Sequence, residues 1–113
     1  MESFVRESLL YDFYGELLTD HQKKIFQEVI FDDFSISEVA RDEGISRQGV
    51  HDMLRRSERA LEEYESRLHL VERFVKIREQ TDAIRTLTEC PPEEAEKSLK
   101  KIREIAEKIR GEL

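Results

Sequence analysis

The stretch Ser35 to Leu61, SISEVARDEGISRQGVHDMLRRSERAL, constrains this chain more than any other. It contains a helix start, a helix stop and a second start in close succession. Ser35-Ile36-Ser37-Glu38 has the form of a capping box, in which a serine hydroxyl and a glutamate carboxylate each accept a backbone N–H left open at a helix start. Gly44 stands where a left-handed backbone is cheap only for glycine. Ser46 then supplies a cap for the next helix. Two helices joined by so tight a turn cross closely, which asks for a small contact residue, glycine in the turn and apolar inner faces. Ala40 is small and Val39 apolar, Ile45 is the expected anchor after the turn, and Val50 and Met53 are expected to point inward. The pattern predicts a helix-turn-helix.

With Val50 and Met53 inward, helical spacing leaves Arg47, Gln48, His51, Asp52 and Arg55 outward. Arginine and glutamine near the start of a recognition helix make bidentate bonds to guanine and adenine edges. These five are the candidate DNA-binding residues. Lys24, Arg41, Arg56 and Arg59 are the candidate phosphate contacts. The chain's net charge of -7, from 26 Asp and Glu against 19 Lys and Arg, weakens nonspecific attraction to phosphates. Residues 41–59 hold five arginines against four acids, and Asp52 would either accept a bond from cytosine or repel the DNA backbone. Helix-turn-helix folds also dock proteins, so a protein- or RNA-interaction adaptor is the alternative to a DNA reader.

The rest of the chain also reads as helix. Apolar residues at 5, 9, 10, 13, 14, 17 and 18 recur at helical steps, which predicts an amphipathic helix from Phe4 to Leu18. Thr19-Asp20-His21-Gln22 is another capping box, opening a helix that buries Ile25, Phe26, Val29 and Ile30 and ends near Asp32-Asp33. Phe4, Tyr11, Phe13, Tyr14, Phe26, Phe31 and Phe34 are expected to pack the first helix onto the next three. After Ser46 a seam runs through Val50, Leu54, Ser57, Leu61, Tyr64, Leu68 and Val71 at coiled-coil-like steps. A second register, Leu70, Phe74, Ile77, Thr81 and Ile84, begins before the first ends, so a bend or a new helix is expected between Arg67 and Val71.

Cys90-Pro91-Pro92 breaks the pattern. Pro92 suits the first turn of a last helix, with Glu93 and Glu94 near its positive end and a stripe of Ala95, Leu99, Ile102, Ala106, Ile109 and Leu113. The expected organisation is a helix-turn-helix domain over residues 1–61 and a helical C-terminal arm over 62–113, coiled-coil-like or folded back. Its seams offer more apolar surface than a small bundle leaves uncovered, so a homodimer is expected.

These residues also carry a family resemblance. LLTDHQKKIFQEVIFDDFSISEVARDEGISRQGVHDMLRRSERAL, residues 17–61, resembles region 4 of bacterial sigma factors. The chain is more similar still to the YlxM family of small bacterial helix-turn-helix proteins, through LLYDFYGELLTDHQKKIF and SRQGVHDMLRR, over about residues 1–90. The resemblance implies an all-α fold, a sigma-region-4-like helix-turn-helix bundle with a helical C-terminal arm. By the sigma likeness, Arg47, Gln48, His51 and Asp52 fall where region 4 touches promoter bases. The chain departs from that pattern at Gly49, where sigma factors usually carry a polar residue, and at Asp52, where glutamine is common. The YlxM resemblance implies a regulatory protein linked to the signal recognition particle pathway, with DNA or components of that particle as partners.

Chemistry of other kinds finds little support. His21, His51 and His69 are far apart and lack Cys or carboxylate neighbours at metal-ligand spacing. Cys90 has no activating base beside it. The four glycines, at 15, 44, 49 and 111, form no phosphate loop. No enzyme activity, cofactor or metal is expected. The single cysteine suits a reducing compartment, and neither a basic-apolar leader nor a membrane-length apolar run is visible. A cytoplasmic protein without membrane insertion is expected.

Overall fold

The computed structural model describes residues 3–113. Among them are six α-helices and no strand: α1 Ser3–Tyr14, α2 Asp20–Phe26, α3 Ile36–Glu43, α4 Arg47–Leu68, α5 Leu70–Leu87 and α6 Ala95–Glu112. The fold is all-α. The chain divides into two compact units, one ending at His69 and the other running Leu70–Leu113. The division expected after Leu61 falls inside α4, which continues unbroken to Leu68. His69 ends that helix in the left-handed region at φ 57°, its N–H bonded to the Glu65 carbonyl at 2.9 Å. The shift of seam near Arg67 to Val71 is therefore a new helix, set apart by one residue.

In the first unit the capping signals act as their chemistry demands. The Thr19 hydroxyl accepts the Gln22 N–H at 3.1 Å while the Gln22 side chain accepts the Thr19 N–H at 2.9 Å. Ser35 and Glu38 form the same reciprocal pair at the start of α3. Gly44 closes α3 at φ 67°, and Ser46 caps α4 by accepting the Gly49 N–H at 2.9 Å. Between α2 and α3 the helix widens over Gln27–Phe31, with Asp32 N–H reaching the Gln27 carbonyl at 2.9 Å. The α-helical part of the second helix is thus shorter than its apolar pattern suggests, and Val29 and Ile30, expected to be buried, are half-buried on the widened turn.

The core of this unit consists of Leu10 and Tyr14 from α1, Leu18, Ile25 and Phe26, Val39 and Ala40 from α3, and Val50, Leu54 and Leu61 from α4. Tyr14 donates to the buried Glu65 carboxylate at 2.6 Å, and Arg6 grips Glu62 with two bonds of 2.8 and 2.7 Å, so α1 is fixed along α4. The aromatic set divides. Tyr14 and Phe26 are buried, and Tyr11 lies stacked on Phe26 with centroids 5.0 Å apart. Phe13 and Phe34 are exposed, contrary to the expected packing, and Phe4, though exposed as well, meets Phe31 edge-on with centroids 6.2 Å apart.

In the second unit α5 and α6 form a helical hairpin. The inward face of α6 is Ser98, Ile102, Ile105 and Ile109, which keeps Ile102 and Ile109 of the expected stripe but has Ser98 in place of the expected Leu99, and Leu99 is 66% exposed. On α5, Ile77, Gln80, Ile84 and Leu87 are half-buried while Thr81 is exposed. Ile105, which the expected stripe omits, takes the place given to Ala106.

Candidate nucleic-acid interface

The helix-turn-helix consists of α3, the turn at Gly44-Ile45-Ser46 and α4. Val39 and Val50 are fully buried where the two helices meet, and Ala40 lies beside them. Ile45 is not the deep anchor expected of it. It is 37% exposed and leans over the start of α4, where a Cβ on Gly49 would lie 3.5 Å from its Cδ1 and 3.3 Å from Ser46 Oγ. Gly49 thus makes room for both the cap and the Ile45 side chain.

Arg47, Gln48, His51, Asp52 and Arg55 are all exposed on the first three turns of α4. Gln48 donates its amide to Asp52 at 3.0 Å, a one-turn pair of the kind that holds side chains in register on a helix. Asp52 is therefore partly occupied by its neighbour and is not simply a bare charge. Arg41, Arg47, Arg55, Arg56 and Arg59 have no side-chain hydrogen bond or ion pair among the described residues, and all five are exposed.

Lys24 stands apart from these arginines. Its ammonium contacts Glu43 at 2.9 Å, and His21 contacts the other oxygen of the same carboxylate at 2.9 Å. This clamp ties α2 to α3. It holds the Glu43 carboxyl below its ordinary range, chiefly through the Lys24 hydrogen bond and then through His21. Among the described residues, Lys24 is the one expected phosphate contact with a carboxylate partner.

Arg55 and Arg59 also border a groove of about 420 Å³ between α1 and α4, floored by Leu10, Phe26 and Leu61. Glu58 shares that border. Burial, and then the charge of Glu7, raises its carboxyl above the usual range. The sequence carried no sign of this groove, because its walls come from helices some fifty residues apart in the chain.

Residues 1–105 match the UPF0122 family, described as "Putative helix-turn-helix protein, YlxM / p13 like". The chain belongs to that family. It is 43% identical to a UPF0122 protein of Thermoanaerobacter sp. (strain X514) over 110 residues, which cover 96% of this chain and 94% of the relative. It is 38% identical to the UPF0122 protein YlxM of Bacillus subtilis (strain 168), over 85% of this chain and 87% of that one. The UPF0122 protein of Symbiobacterium thermophilum is 48% identical over a shorter span, 63% of this chain and 66% of its own length. Among the described residues, no helix is long and apolar enough to cross a membrane.

Proposed function

We propose that this protein is a non-enzymatic regulator that contacts nucleic acid through the outward face of α4. One observation carries the reading: five exposed arginines, without ion pairs among the described residues, surround the second helix of a capped helix-turn-helix. An arginine committed to a carboxylate has its donors occupied; these have theirs open. Arg47 and Gln48, with His51, Asp52 and Arg55, are the base-reading set. Arg41, Arg56 and Arg59 hold phosphates, and Lys24 joins them only at the cost of its bond to Glu43. Two copies joined through the hairpin, where Leu99 stands exposed, would present two recognition helices to two half-sites.

Selection from random duplex DNA at low salt, using the full chain, tests this. A preferred sequence is expected, in two repeated halves. Arg47→Ala should then cost about 1–3 kcal/mol on that site and relax its preference. Arg56→Ala should weaken binding evenly across sequences and make the salt slope shallower by about one. No enriched sequence, together with an Arg47→Ala protein that binds duplexes as the parent does, would remove the base-reading role. A single enriched half would remove the paired arrangement.

A second reading has its own observation. Residues 1–46 hold eleven Asp and Glu against four Lys and Arg, while α4 holds five of each. That acidity suits an adaptor meeting basic proteins of the signal recognition particle pathway, the pathway implied by the YlxM resemblance.

A further inference from the structure

The net charge of -7 belongs entirely to residues 1–46, since the remainder of the chain is balanced. Within that acidic stretch, α1 and the widened turn after α2 border an open surface cleft of about 360 Å³ lined by Tyr11, Asp12, Gln27, Phe31 and Asp32. Its aromatic walls are braced. Tyr11 and Phe31 tilt at 58° with centroids 5.4 Å apart, and Phe26 stacks behind Tyr11 with ring planes only 4° apart. Burial raises the Tyr11 hydroxyl above its ordinary value, so the ring is a neutral phenol at physiological pH.

Asp12 and Asp32 are exposed and have no side-chain hydrogen bond or ion pair among the described residues. The nearby cation, Lys23, is already held by Glu16 at 3.1 Å. The cleft therefore combines π-rich walls with two uncommitted carboxylates. A phosphate would be repelled, and an apolar side chain would draw nothing from the two carboxylates, which stay solvated. A planar guanidinium satisfies both features, because it stacks on aromatic rings and forks onto carboxylates. A lysine ammonium is more strongly hydrated and lacks the flat face.

We infer that the cleft between α1 and the turn Gln27–Phe31 receives an arginine side chain presented by a protein partner. The acidic charge of residues 1–46 draws such a partner in, and the aromatic walls select arginine over lysine. This surface uses none of the residues assigned to nucleic acid, so its success or failure is independent of that reading.

The test uses the full-length protein and two fluorescein-labelled heptapeptides, alternating Gly-Arg and Gly-Lys. Anisotropy should show the arginine peptide binding more tightly, with affinity falling as salt rises. Backbone amide shifts in a two-dimensional nitrogen–proton spectrum should be confined to Tyr11, Asp12 and the turn from Gln27 to Asp32. Asp12→Asn with Asp32→Asn should weaken arginine binding at least tenfold. Glu38→Gln with Asp42→Asn removes the same charge elsewhere, spares the capping box and should change binding less than twofold. Phe31→Leu should reduce the preference for arginine over lysine, with circular dichroism confirming the fold. Equal weakening by the two charge pairs would reduce the effect to a diffuse field and overturn the site. Shifts centred elsewhere would do the same, as would self-association that Asp12→Asn with Asp32→Asn abolishes, since the occupant would then be a second copy.

Discussion

The two units of this molecule are written in the same three-and-four spacing of apolar residues, yet they bury those residues to different depths. In the first unit Tyr14, Ile25, Phe26, Val39, Val50 and Leu61 are all below 2% exposed. In the hairpin, the inward isoleucines Ile77, Ile84, Ile102, Ile105 and Ile109 are half-buried. A seam states which face a helix turns inward. The number of helices packed around that face decides how dry it becomes. Four helices surround one core in the first unit, whereas α5 and α6 have one mutual face.

Truncation in each unit offers the largest effect with which to break this comparison. Phe26→Ala removes a fully buried ring that also supports Tyr11 and Phe31, and should cost about 3–5 kcal/mol. Ile105→Ala removes half-buried methyl groups and should cost about 1–2 kcal/mol. Urea unfolding followed by circular dichroism measures both. Comparable losses would mean that the hairpin interior is as well packed as the four-helix core, and the contrast would have to be withdrawn.

The same contrast explains what was legible in the amino-acid sequence. Caps are local chemistry, so Thr19, Ser35 and Ser46 mark the starts of α2, α3 and α4, and Gly44 marks the end of α3. Each satisfies backbone groups within three or four residues of itself. On α6, Ile102 and Ile109 face inward as expected, but Ser98 and Ile105 stand in for Leu99 and Ala106, which fit the spacing equally well. Only the position of α5 separates the two choices. His69 gave no warning as a helix end, since histidine is no standard stop signal and its left-handed turn is imposed by its surroundings. At the candidate interface, the outward set on α4 follows from helical spacing alone. The Lys24–Glu43 and Arg6–Glu62 pairs and the two clefts depend on tertiary proximity, and nothing local encodes them.

Glycine substitutions sharpen the comparison at intermediate size, with opposite signs expected in the two units. At Gly44 a new Cβ would meet nothing within 4 Å, so the whole cost of Gly44→Ala is the φ of +67°. About 1–2 kcal/mol of destabilisation is expected. Gly111 also has open space around a new Cβ, but it lies in α6 with ordinary helical backbone. Gly111→Ala should stabilise by up to about 0.5 kcal/mol, because alanine loses less backbone entropy. A Gly44→Ala protein as stable as its parent would show that the turn relaxes to another conformation, and the tight crossing of α3 and α4 would no longer rest on it.

The smallest effect is electrostatic, and it separates two carboxylates within the first unit. Glu43 is held below its usual range by Lys24 and then His21. A depressed folded value favours the folded state above the ordinary carboxylate range, and that contribution disappears as pH falls through the folded value. Glu58 runs the other way: burial and then Glu7 raise it, so stability declines as pH climbs from the ordinary range through the raised value. Glu43→Gln should therefore lower the urea midpoint at neutral pH and flatten its decline towards about pH 3.5. Glu58→Gln should raise the neutral midpoint and steepen the same decline, because the relief gained on protonating Glu58 is gone. Exposure of Lys24 and His21 to solvent keeps the Glu43 effect modest and sensitive to salt. Parallel pH profiles for the two variants would show that neither carboxylate differs from a solvated one, and the α2–α3 clamp would then be a contact without energetic consequence.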